Sequence, residues 1–80
     1  MMATRAFILI ETAVGKTKDV VTAVRKLSGV QSVDPVTGPY DVIVVVEGQD
    51  LNAIGELVTN KVHPIGGVTR TVTCLAISVS

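Results

Sequence analysis

The turn Gly38-Pro39-Tyr40-Asp41 places a glycine, a phenolic hydroxyl and a carboxylate within four residues. A glycine lets backbone amides approach a small ligand closely. A carboxylate beside them can hold an ammonium group. The same residues also suit an ordinary turn, with Asp41 bonded to nearby backbone. A second segment, Val68-Thr69-Arg70-Thr71-Val72-Thr73, sets hydroxyls at alternate positions. On a strand, Thr69, Thr71 and Thr73 project from one face and Arg70 from the other. A row of hydroxyls can bind carboxylate and amide groups. It can equally be a solvated or interface face. Gly38, Tyr40, Asp41, Thr69, Thr71 and Thr73 are therefore the candidate ligand-binding residues.

The rest of the chain offers little for catalysis. His63 precedes Pro64 at an expected helix end, where it suits the helix dipole better than a catalytic role. Cys74 lies between Thr73 and Leu75 in an apolar strand and reads as a buried, inert thiol. No pair of carboxylates has the spacing of a shared acid–base site. No metal-ligand cluster is present, and no cofactor motif. Gly66-Gly67 follows a helix and precedes a strand, the reverse of a phosphate-binding loop. The expectation is a protein that is not an enzyme and has no cofactor or metal.

The elements that must position these residues follow from hydrophobic period. Thr4 to Thr12 reads as a strand with a continuous apolar centre, Phe7-Ile8-Leu9-Ile10. Such a run implies that both faces are covered. From Lys16 to about Ser28 the period becomes helical: Val20, Val21, Val24 and Leu27 form one stripe, opposite Lys18, Asp19, Thr22, Arg25 and Lys26. Gly29 suits a left-handed stop. Val30 to Val36 is a strand that Pro35 confines to an edge or a bulge. Tyr40 to Glu47 is a second strand that is apolar on both faces. Asp50 is a fitting N-cap for a helix carrying Leu51, Ile54, Leu57, Val58 and Val62, ending near His63-Pro64. Val68 to about Val79 is the last strand. The order βαββαβ, with right-handed crossovers, gives an α+β ferredoxin-like sandwich: one antiparallel sheet with two helices on one face.

Nothing is left to cover the other face, although strands one and three are apolar there. Such a bare face exceeds what soluble monomers usually expose. The chain is therefore expected to dimerise sheet to sheet, with enlargement into a higher oligomer open. Eighty residues form one domain, 1–80. The lone cysteine allows no internal disulfide. Seven basic residues balance seven acidic ones, so no electrostatic footprint for nucleic acid exists. The longest apolar runs, Ala6–Ile10 and Val42–Val46, are too short to span a bilayer. Neither forms a secretory leader. A cytoplasmic protein with a reduced thiol, bound to neither DNA nor membrane, is expected.

At the two candidate segments the chain resembles the ligand-sensing (RAM) domain of the Lrp/AsnC family of regulators. Gly38 to Asp41, GPYD, is similar to the family's G-x-Y-D turn. Gly67 to Thr73, GVTRTVT, is similar to its G-V-x-R-T-x-T strand. LSGV before the second strand and VTG before Pro39 and Tyr40 also fit. The resemblance implies sheet-to-sheet homodimers, octamer-like assemblies, and amino acid effectors held between neighbouring dimers. It places Gly38, Tyr40 and Asp41 at the effector pocket, with Thr69, Thr71 and Thr73 lining it. The family's helix-turn-helix has no counterpart in these residues, so the expected form is a stand-alone sensing module. Two roles stay open: a small-molecule effector module acting indirectly on transcription, or an adaptor that co-assembles with full-length Lrp-like regulators without binding a ligand. The strand order alone is shared with the ACT domain, whose function is again amino acid binding.

Overall fold

The computed structural model describes residues 3–77. Its elements are β1 (Thr4–Thr12), α1 (Thr17–Arg25), β2 (Val30–Pro35), β3 (Val42–Gly48), α2 (Leu51–Leu57) continuing into a π-helical turn (Val58–Val62), and β4 (Val68–Leu75). The sheet is antiparallel, with strand order β2-β3-β1-β4. This is the ferredoxin-like arrangement the periodicity predicts. The strand expected to reach Val79 is described to Leu75, and Ser78, Val79 and Ser80 lie outside the described residues.

The core forms where the helix stripes meet one sheet face. Ala6, Ile8 and Ile10 of β1 and Val42, Val44 and Val46 of β3 are completely buried. They pair across the sheet as Ala6–Val46, Ile8–Val44 and Ile10–Val42. Val20, Val21 and Val24 of α1, Ile54 of α2 and Val62 of the π turn close over them. Fully burying each of the valine and isoleucine side chains contributes about 2 kcal/mol. Asp50 caps α2 by accepting the Ala53 amide at 2.9 Å. Gly29 has φ +87°, but α1 ends at Arg25 with Lys26 as its C-cap rather than near Ser28, so this glycine turns the chain into β2 instead of stopping the helix as expected.

The sequence pattern misplaced some details. Leu51 belongs to the apolar stripe of the second helix yet is 58% exposed. The His63 amide bonds the Val58 carbonyl at 2.7 Å, five residues back. This wider turn takes Val62 into the core, while Leu51 overhangs the first turn. Tyr40 and Asp41 precede β3 rather than opening it. Pro35 does lie on an edge strand, and β2 also carries a register shift between Val30 and Ser32.

The other sheet face carries no helix. Arg5, Phe7, Leu9 and Glu11 of β1 point there, with Ile43 and Val45 of β3 and Arg70, Val72 and Cys74 of β4. Leu9 sits between Ile43 and Val72, and Phe7 between Val45 and Cys74. The aliphatic residues and Phe7 are half-buried. Cys74 is exposed, which corrects the expectation of a buried thiol. Its strand is an edge, and the face it points to is uncovered. Charged groups frame the patch: Arg5 lies 5.2 Å from the Phe7 ring centre, and Arg70 meets Glu11 at 3.6 Å.

Candidate functional site

The two candidate segments lie at one end of the sheet, on either side of β1. Asp41 is next to Ile10 through the β3 pairing, and Thr69, Arg70 and Thr71 lie beside Ile10 to Thr12 through the β4 pairing. With β1 between them, β3 and β4 are about 10 Å apart, two strand spacings. The topology thus brings the turn and the start of β4 to one end of the molecule without bringing them into contact.

Asp41 is held by three contacts. Its Oδ2 accepts the Thr12 amide at 2.8 Å. Its own amide donates to the Ile10 carbonyl at 2.9 Å, and its carbonyl accepts the Val36 amide at 2.9 Å. The carboxylate therefore ties the Gly38–Asp41 turn to the end of β1, with Oδ1 outside that bond. Gly38 is exposed with φ +142°, and a Cβ there would meet nothing within 4 Å. Space does not demand a glycine at this position; backbone conformation does. Tyr40 is half-buried.

The three threonines are not one row. Thr71 pairs with Ile10 and Thr73 with Ile8, so both lie on the helix side of the sheet. Thr73 is exposed although Ile8 is completely buried, because the helix layer stops short of β4. Thr69 falls in the register shift opposite Glu11/Thr12, and its hydroxyl donates to the Glu11 carbonyl at 3.1 Å. The expected alternation therefore holds for Thr71 and Thr73 and fails at Thr69, where a bulge adds a residue.

Sequence reasoning missed Thr12 and Thr17. The Thr12 amide anchors Asp41, and its hydroxyl lies 2.8 Å from that of Thr17 at the start of α1. Asp41 and Thr12 are 29 residues apart, and no local pattern announces the pairing. Among the described residues, surface grooves of about 510, 360, 410 and 260 Å³ lie around the helices, and these are not lined by the six candidate residues. Among the described residues no cluster of metal-ligating side chains occurs, and no helix is long and apolar enough to cross a membrane.

Residues 5–80 match the Lrp/AsnC ligand binding domain. An uncharacterized HTH-type transcriptional regulator of Pyrococcus furiosus is 33% identical over 78 residues, covering 94% of this chain and 52% of that protein. The chain thus spans about half the length of this curated relative. The crystal structure of TTHA0845 from Thermus thermophilus superposes with a TM-score of 0.90 at 32% identity, covering 96% of both chains. A transcriptional regulator of Neisseria meningitidis, solved as an L-Met complex, has the same fold, with a TM-score of 0.85 at 22% identity over 94% of this chain and 50% of that one. The GPYD turn, the GVTRTVT strand and the sheet order that joins them thus stand within a match along nearly the whole sequence, and the chain belongs to the Lrp/AsnC ligand-binding domain family.

Proposed function

We propose that this chain is an effector-binding module that holds an amino acid at an interface between copies and acts on transcription indirectly, through assembly, in the cytoplasm. The observation that carries this reading is the division of labour between the two sheet faces. The uncovered apolar face, centred on Phe7, Leu9, Ile43, Val45 and Val72, suits a sheet-to-sheet homodimer. Thr71 and Thr73 lie on the opposite face. A copy docked on the apolar face leaves them free for a ligand and for a second contact between dimers.

The chemistry matches an amino acid. Asp41 offers a carboxylate for the ammonium group. The amides beside Gly38 suit the ligand's carboxylate, and the hydroxyls of Thr71 and Thr73, about 10 Å away across β1, would reach the same ligand from another copy. The turn and the β4 threonines are held apart by β1 within one copy, so walls from another copy would complete the site. The L-Met complex of the Neisseria relative makes the amino acid class a fitting first choice. An effector bound between copies favours one assembly over another, which is how binding would reach a regulator. No acid–base pair stands at the candidate residues, which fits a binding role rather than catalysis.

Melting the protein with each of the twenty amino acids tests this reading. At a ligand concentration of one hundred times Kd, binding raises stability by about 2.7 kcal/mol. At least one amino acid is expected to raise the midpoint. No response to any of them, with capture of a full-length Lrp-like regulator, would instead favour the adaptor role.

A further inference from the structure

We propose that a second small-molecule site lies between α1 and β2, and that it takes small carboxylic acids with an apolar tail and no ammonium group. Lys18, Val21, Thr22 and Arg25 stand at i, i+3, i+4 and i+7, one stripe of α1. With Thr17 and Pro35 they line a groove of about 410 Å³. That volume falls within the roughly 300–1,000 Å³ of small-molecule sites. Val21 and Pro35 give it an apolar floor, extended by the alkyl stems of Lys18 and Arg25. The two cationic heads stand two helical turns apart along it.

No carboxylate lines this groove. Asp34 pairs with Ile43 and so lies on the other face of the sheet. Asp19 adjoins Lys18 in sequence but lies about a hundred degrees round the helix. Among the described residues neither Lys18 nor Arg25 has a carboxylate within salt-bridge distance, the pair formed being Glu11–Arg70. Arg25 makes one long bond, 3.4 Å from Nη2 to the Val33 carbonyl. A guanidinium has five donors, so the others remain for a ligand.

Two cations over an apolar floor select an amphipathic anion. A carboxylate would pair with Arg25 at one end of the groove, or with Lys18 at the other, while its tail lies on Val21 and Pro35. The ammonium of an amino acid would be held beside the same positive charge, with no carboxylate in the groove to offset it. Selection here is therefore opposite to that proposed at Asp41. Two cations in a chain of zero net charge are too few for a nucleic-acid backbone. The groove is on the helix side at the β2 edge, so a partner on the uncovered sheet face leaves it open. None of the six candidate effector residues lines it, and its failure would leave the first site untouched.

The test is an amide chemical-shift titration of the whole chain with 4-methylpentanoate, and with leucine, which has the same skeleton plus an ammonium group. The acid is expected to shift the amides of Lys18 to Arg25 and of Val33 and Asp34 saturably, while leucine leaves them in place. Arg25→Gln should weaken binding about tenfold, the loss of one charge-assisted contact. Because Arg25 also contacts the Val33 carbonyl, Lys18→Gln serves as the second variant, with the same direction of effect. Absence of saturable shifts, unchanged affinity in both variants, or equal shifts with leucine would overturn the proposal.

Discussion

If the chain pairs through its uncovered sheet face as proposed, replacing Leu9 with glutamate is expected to leave an 8.4 kDa monomer. Leu9 lies at the centre of the uncovered sheet face, flanked by Ile43 and Val72. A partner sheet packed there would bury it. In a two-fold dimer each copy contributes the same residue, so the substitution introduces two charges into one apolar interface. Burying an unpaired carboxylate costs several kcal/mol. Even about 3 kcal/mol weakens association more than a hundredfold. The monomer should keep its fold, because Ile8 and Ile10 of the same strand carry the core and point the other way. Light scattering with circular dichroism checks both halves of the expectation. Wild-type protein that is already monomeric at micromolar concentration, or a variant with wild-type mass, would contradict a dimer through this face.

Substitutions at Asp41 separate its two roles. Its Oδ2 accepts the Thr12 amide, so it holds the turn whether or not a ligand is present. Asp41→Ala removes that acceptor and should cost about 1 kcal/mol of stability, the usual net value of such a bond. Asp41→Asn retains an oxygen that can accept the same amide but loses the charge. We expect the Asn variant to melt close to wild type and to bind the amino acid at least about tenfold more weakly, since an ammonium loses its charged partner. The Ala variant should lose both stability and binding. Calorimetric titration alongside urea denaturation distinguishes the cases. An Asn variant with normal affinity would leave Asp41 a structural residue only.

The strands were legible in the sequence because β1 and β3 have continuous apolar centres, Ala6–Ile10 and Val42–Val46, bounded by polar residues. Val42, Val44 and Val46 facing one way, with Ile43 and Val45 the other, follows from period two alone. The GPYD turn and the threonines of β4 stood out as candidates by residue type alone, and the sheet order places the turn and the start of β4 at one end of the molecule. What was not legible depends on contacts distant in the chain. Cys74 has apolar Leu75 beside it, yet its burial is decided by β4 being an edge strand facing an uncovered side. Thr69 has the right spacing for the hydroxyl row, but the bulge opposite Glu11/Thr12 takes it out of alternation. The partner of Asp41 is a backbone amide on another strand, and a backbone donor leaves no trace in residue type. Leu51 fits an ideal helical stripe, but it is the first residue of α2 and lies exposed at the helix start, while Ile54 one turn on is buried.

The most direct test of an amino acid site built between copies is an amide chemical-shift titration of the wild-type chain with each of the twenty amino acids. A site of this kind predicts that at least one of them saturably shifts the amides of Gly38, Tyr40 and Asp41 together with those of Thr69, Thr71 and Thr73. The two segments should respond at the same ligand concentration, because a molecule bound between copies would touch the turn of one copy and the β4 threonines of another. Silence from all twenty, or saturable shifts confined to other parts of the chain, would contradict it.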